Sequence, residues 1–153
     1  MIEYGLLDSK IIESHLLDFA PRADGRGNVD KAELKFVRTC AAEVERVAKT
    51  SMRDTAINTS VTYGKRGHHP SQAYNPPAID YGTMLQSITH DVIEQSGKPV
   101  GRVGSTLNNP PYPKYLEYGT SKMKPRPWLN AALIKCRSFM QQAANVILGG
   151  AIK

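Results

Sequence analysis

Cysteine is nearly missing from this chain. Cys40 and Cys136 are the two in 153 residues, and no Cys-x-x-Cys occurs. That removes zinc-knuckle and thioredoxin-like readings. Two isolated thiols fit reduced, buried, small apolar side chains, and so a cytosolic chain. Long apolar runs are also missing: none approaches the ~20 residues that a membrane helix requires. The opening MIEYGLLDSK has no basic segment followed by an apolar core. The expectation is therefore no secretory signal and no membrane partner. Acid is scarce in the last third. From Lys98 onward Glu117 stands alone against nine Lys/Arg, a balance of +8, whereas residues 1–97 carry eleven bases and thirteen acids, or −2. A single glutamate supplies no pair of carboxylates for acid–base work. There is no Gly-x-Ser-x-Gly, Walker or Gly-x-Gly-x-x-Gly pattern, and GRVGST has the wrong spacing for a phosphate loop. The one histidine cluster is His68-His69, whose side chains point apart in an extended loop. His15 and His90 have no Cys or carboxylate at ligand spacing. No catalysis, cofactor or metal is expected.

What is present is an ordinary globular composition, 41% hydrophobic and 22% charged, at a length that favours a single domain over residues 1–153. The ten prolines bound the windows in which regular structure can lie. Residues 6–19 carry apolar pairs at Leu6/Leu7, Ile11/Ile12 and Leu16/Leu17 and then Phe19, which predicts a short amphipathic helix within an N-terminal extension, 1–25. Residues 29–53 predict the clearest helix. Leu34, Val37, Ala41, Val44 and Ala48 share one face, Asn28 or Asp30 caps the start, and Lys31, Lys35, Arg38, Glu45 and Lys49 form a solvated face. Residues 58–83 hold three glycines and three prolines and read as a long, flexible loop.

Residues 86–105 predict a β-hairpin turning at Gly97-Lys98-Pro99. Its first strand alternates, with Ile88 and Val92 on one side and Thr89, Asp91 and Ile93 on the other; the return strand runs through Val100 and Val103. YPKYLEYG is either a third strand or a short helical turn. A last helix opens at Pro127, carries a stripe of Leu129, Leu133, Cys136, Met140, Ala143 and Ile147, and ends at Gly149-Gly150. Ile134 projects from the polar arc of that helix, as if it were covered on more than one side. The fold class is then α+β: a small antiparallel sheet against a long helix and a C-terminal helix, with an extra N-terminal helix.

Basic residues mix with aromatics in two places: Lys65-Arg66 near Tyr63, and Lys122, Lys124 and Arg126 between Tyr118 and Trp128. Such mixtures hold phosphates and stack bases. Here PRPW leads straight into a helix, which favours a solvated loop with an aromatic anchored in the core.

The whole stretch YPKYLEYGTSKMKPRPWLNAAL, residues 112–133, closely resembles the hallmark of a family of tailed-phage proteins. These are the minor tail components of long-tailed phages, related to the gene-ten-like and lambda Z tail-completion proteins. Tyr115, Leu116, Glu117, Tyr118, Gly119 and Thr120 match the first half of the hallmark, and Pro127, Trp128, Leu129, Ala132 and Leu133 the second. Upstream, DYGTMLQSI resembles the family's entry into its first strand, with Gly82-Thr83 inverted. Pro113-Lys114 stands where a small residue is usual, and residues 1–25 have no counterpart. The resemblance implies a structural virion protein of the head–tail junction, a tail-completion or neck component assembled in the host cytoplasm. It would form a homo-oligomeric ring that meets adjoining neck, connector or tail-tube proteins. On that view Tyr115, Glu117, Tyr118, Gly119, Thr120, Pro127 and Trp128 build a structural corner. Gly119 takes a positive φ there. Glu117 accepts hydrogen bonds from Thr120 or from backbone N–H groups, or pairs with Arg126. Lys65, Arg66, Lys122, Lys124 and Arg126 are left to meet a neighbouring subunit or the genome DNA in the channel. The alternative is a small cytosolic DNA-binding protein that uses the same basic segment.

Overall fold

The computed structural model describes residues 27–55, 70–107 and 111–149. The helix expected over 6–19 lies outside them, as do residues 58–69 of the expected loop. Helix α1, Gly27–Asp54, dominates. It buries Phe36, Val37, Cys40, Ala41, Val44, Ala48 and Met52, a stripe at three- and four-residue spacing. Leu34, expected on that face, is 39% exposed: Phe36 and Cys40 draw the buried arc to the side away from it. Asn28 and Asp30 fall inside the first turn and not at the cap.

A single turn, α2 (Thr83–Ser87), leads into strand β1 (Ile88–Gln95), which pairs antiparallel with β2 (Lys98–Ser105) from Ile88↔Ser105 to Gln95↔Lys98. The two residues between the strands, Ser96 and Gly97, both have positive φ, 53° and 74°. This is the mirror-image turn that suits strand twist. Period two puts Ile88, His90, Val92, Gly101 and Val103 on the face toward α1. Val100 and Val103 are three apart and so point to opposite faces. Val103 joins the core, while Val100 lies opposite Ile93. On the same outer side Arg102 pairs with Asp91 across the strands.

YPKYLEY is helical: α3 spans Tyr112–Tyr118. Pro113 sits in its first turn, where a missing N–H costs nothing. The expected last helix is two: α4 (Leu129–Lys135) and α5 (Arg137–Ile147), divided at Cys136. The Cys136 N–H is shared between the carbonyls of Ala132 (3.0 Å) and Leu133 (3.2 Å), a local tightening toward 3₁₀ geometry. The helix also starts later than expected, because Trp128 takes the cap position and Pro127 precedes it. Gly149 follows the end of α5, as read from the sequence. The two strands and α4 and α5 close on α1, so the core is the space between a helix, a hairpin and a terminal helix pair. This is the expected α+β arrangement.

A candidate contact surface on a buried corner

Helix α4 begins without help from its own cap residue, since Trp128 has no acceptor in its side chain. The first backbone N–H groups of a helix need partners when buried. Glu117 supplies them from α3. Its Oε2 accepts the N–H of Trp128 at 2.7 Å and of Leu129 at 3.0 Å, and its Oε1 accepts the N–H of Asn130 at 2.9 Å. The carboxylate is 7% exposed. A negative charge at a helix N-terminus also complements the helix dipole. Of the partners considered for Glu117, backbone N–H groups are therefore the ones it has. They belong to α4, not to the Gly-Thr corner, and neither Thr120 nor Arg126 is among them.

Trp128 locks the same joint. It is fully buried, and its Nε1–H donates to the carbonyl of Pro113 at 3.1 Å. Between the two helices the chain reverses at Gly119, with φ 76° and ψ −175°; its N–H donates to the Tyr115 carbonyl at 2.9 Å. A Cβ on Gly119 would lie 2.7 Å from the Met123 carbonyl oxygen and 2.9 Å from the Pro125 nitrogen. Both the dihedral and the space demand glycine. Thr120 and Met123 then form a bridge, and Thr120 Oγ1 accepts the N–H of Lys122 and of Met123. The Arg126 N–H returns to the Leu116 carbonyl at 2.6 Å.

The basic residues divide. Lys122 and Lys124 are exposed on the tip of this loop. Lys124 Nζ lies 5.9 Å above the ring of Tyr74, itself 63% exposed. Arg126 is half-buried and structural: its Nε donates to the Ser71 carbonyl at 3.2 Å, tying the loop to a segment 55 residues away. The Tyr74 N–H donates to the Pro125 carbonyl at 2.8 Å and reinforces that seam. Lys65 and Arg66 lie outside the described residues. Tyr115 and Tyr118, read as corner residues, are 43% and 55% exposed and face outward. Residues 112–128 thus form one hydrogen-bonded unit whose acid, glycine and tryptophan are internal and whose lysines and tyrosines are external.

A second polar cluster escaped the sequence entirely. Glu45 and Lys49, read as solvated, are half-buried. Glu45 Oε2 meets His90 Nδ1 at 2.5 Å, and Lys49 Nζ meets Glu45 Oε1 at 2.5 Å. Burial pushes the Glu45 carboxyl up, but hydrogen bonds and charge from Lys49 and His90 outweigh it and hold the group below its ordinary range. No sequence spacing links residues 45 and 90; the hairpin brings them together. The cluster lacks a third ligand, and among the described residues no group of three His, Cys, Asp or Glu is placed to hold a metal. No described helix is long and apolar enough to cross a membrane.

Comparison with protein-family models, curated proteins and solved structures gave no match to this chain.

Proposed function

We propose that this protein is a structural virion component of the head–tail junction of a tailed phage, a tail-completion or neck subunit that assembles with copies of itself into a ring. The observation that carries the reading is the arrangement of residues 112–133, the stretch on which the resemblance rests. Its distinctive residues, Glu117, Gly119 and Trp128, are committed to hydrogen bonding, a backbone reversal and packing within the corner. None of them faces a cleft with a free reactive atom, so the reading assigns no catalysis. What the corner presents outward is Lys122, Lys124, Tyr115 and Tyr118, a basic and aromatic surface suited to a protein neighbour. All four side chains are exposed to solvent. Function as a contact surface is compatible with that, because changes at such positions usually alter stability by under ~0.5 kcal/mol.

A second reading, a small DNA-binding protein, draws on one observation: Lys124 beside the exposed Tyr74 ring, the pairing of cation and aromatic that holds a nucleotide. One variant separates the two. Lys122→Ser with Lys124→Ser should leave the melting temperature unchanged and leave heads and tails unjoined when the variant complements a phage lacking the gene. Normal infectious yield would sink the contact-surface reading. A parent chain that stays monomeric at every concentration, yet binds duplex DNA with a steep salt dependence that the variant loses, favours the second reading.

A further inference from the structure

Next to the corner, Ser71 breaks a general rule. It is 3% exposed, and its Oγ is a buried polar atom without a hydrogen-bond partner. Buried polar atoms are almost always paired, and a serine hydroxyl can donate as well as accept. Ser71 lines a cavity of about 320 Å³ together with Lys122 and Arg126. Arg126 donates through Nε to the Ser71 carbonyl and through Nη1 to the Lys124 carbonyl. Both acceptors are neutral, so they do not compensate the guanidinium charge, and Nη2 is left for a further acceptor. Among the described residues that line this cavity none is acidic. A hydroxyl, a guanidinium edge and an ammonium group around one space are a donor set for a carboxylate.

The other walls are apolar, with Pro77, Ala78, Leu116 and Met123 beside the Tyr112 ring. Pro77, Ala78, Tyr112 and Leu116 also line a second cavity, of about 360 Å³, which continues the space toward Met52, Met84 and Leu85. Asp80 borders this second cavity and not the first. An inorganic anion would leave the apolar walls unused. A neutral apolar molecule would leave the Ser71 hydroxyl unpaired and cover two cations. Both volumes fall at the lower end of the ~300–1,000 Å³ of small-molecule pockets, which are mostly apolar with a few polar groups that fix orientation. We propose that Ser71, Lys122 and Arg126 form a binding site for a small organic acid, with its carboxylate among these three side chains and its apolar body along Leu116 toward Met84. The site does not depend on whether copies of the chain assemble.

Titration of the full chain, followed by backbone amide chemical shifts, tests it with octanoate, octanol and acetate as probes. Octanoate is expected to give saturable shifts centred on Ser71, Ala78 and Leu116, and the other two to bind severalfold more weakly. Lys122→Gln and Ser71→Ala should each weaken octanoate binding severalfold. Ser71→Ala should also melt no lower than the parent, because it removes an unpaired buried hydroxyl. Lower melting with unchanged octanoate affinity would mark a structural serine and overturn the assignment. Octanol binding as tightly as octanoate would reduce the site to an apolar pocket and overturn it too. Saturable binding of a capped Glu-Leu-Leu tripeptide, tighter than that of octanoate, would give the site to a protein segment instead of a small acid. No saturable shift in the parent overturns the proposal. If octanoate then binds once Glu3→Gln, Asp8→Asn, Glu13→Gln and Asp18→Asn are made together, the chain's own carboxylates hold the site.

Discussion

Glu117 is the residue on which the corner turns. One buried carboxylate satisfies three backbone N–H groups of a neighbouring helix. Charge-assisted bonds of this kind contribute about 1.5–3 kcal/mol each, and deleting the acceptor leaves buried donors unpaired. Glu117→Ala is therefore expected to destabilise the fold by about 3 kcal/mol or more, read as a lower midpoint in urea unfolding. Glu117→Gln keeps one good acceptor and should lose about half as much. Equal melting of parent and both variants would show that α4 needs no external cap. Gly119→Val is expected to cost at least as much as the ~1–3 kcal/mol of left-handed strain, because the added Cβ also collides with the Met123 carbonyl and Pro125. Gly119→Ala retains both faults. It should therefore fall close to the valine variant, not midway to the parent, in the same unfolding experiment.

At the scale of elements, the hairpin offers the cleanest test. Its turn places a serine, Ser96, at φ 53° ahead of Gly97 at φ 74°. Asparagine tolerates that conformation better than serine and favours this turn type. Ser96→Asn is expected to raise stability by a few tenths to ~1 kcal/mol, since the gain comes from backbone preference and not from a new contact. A neutral or negative result in thermal melting would mean that the strand pairing, not the turn, sets the register. Docking of the hairpin on α1 adds a pH dependence. The Glu45 carboxyl is held low in the folded state, so its contribution is present above its ordinary value of 4.5 and is lost as pH falls through the lower folded value. His90→Ala removes one of the two hydrogen-bonding partners. It should lower stability at neutral pH and flatten the acid limb, with the difference from the parent shrinking as pH falls below ~4.5.

Over the whole molecule, the two thiols report on the core. Burial pushes Cys40 up to about 12 and Cys136 up to about 11, from an ordinary 9.0. A raised thiol value stabilises the fold fully below pH 9, and that contribution is lost as pH climbs from 9 through the folded values, because the unfolded chain ionises first. Both side chains belong to the core that joins α1 to the α4–α5 pair. Their reaction with an aromatic disulfide reagent at pH 8 should therefore follow global unfolding, with added urea raising the rate in step with the unfolded fraction. Fast labelling of one thiol in the native protein would identify a local opening between α1 and the terminal helices.

The sequence by itself determined the features that depend on local chemistry. The α1 stripe, the hairpin with its glycine turn, the left-handed Gly119 and the basic excess after Lys98 all follow from periodicity, backbone preference or charge, and each is read within a few residues. The α+β class follows from their order. Tertiary structure decided the rest, because a hydrogen bond depends on proximity and not on spacing along the chain. Glu117 accepts from three backbone N–H groups that are identical in every sequence and so leave no signature. His90 finds Glu45 across 45 residues, and Arg126 finds the Ser71 carbonyl across 55. Packing likewise divided what composition left alike: Leu34 out and Phe36 in, Tyr115 and Tyr118 outward and Trp128 inward, Arg126 half-buried while Lys122 and Lys124 stand in water. A side chain is buried when another element covers it, and which element does so is settled only when the chain has closed on itself.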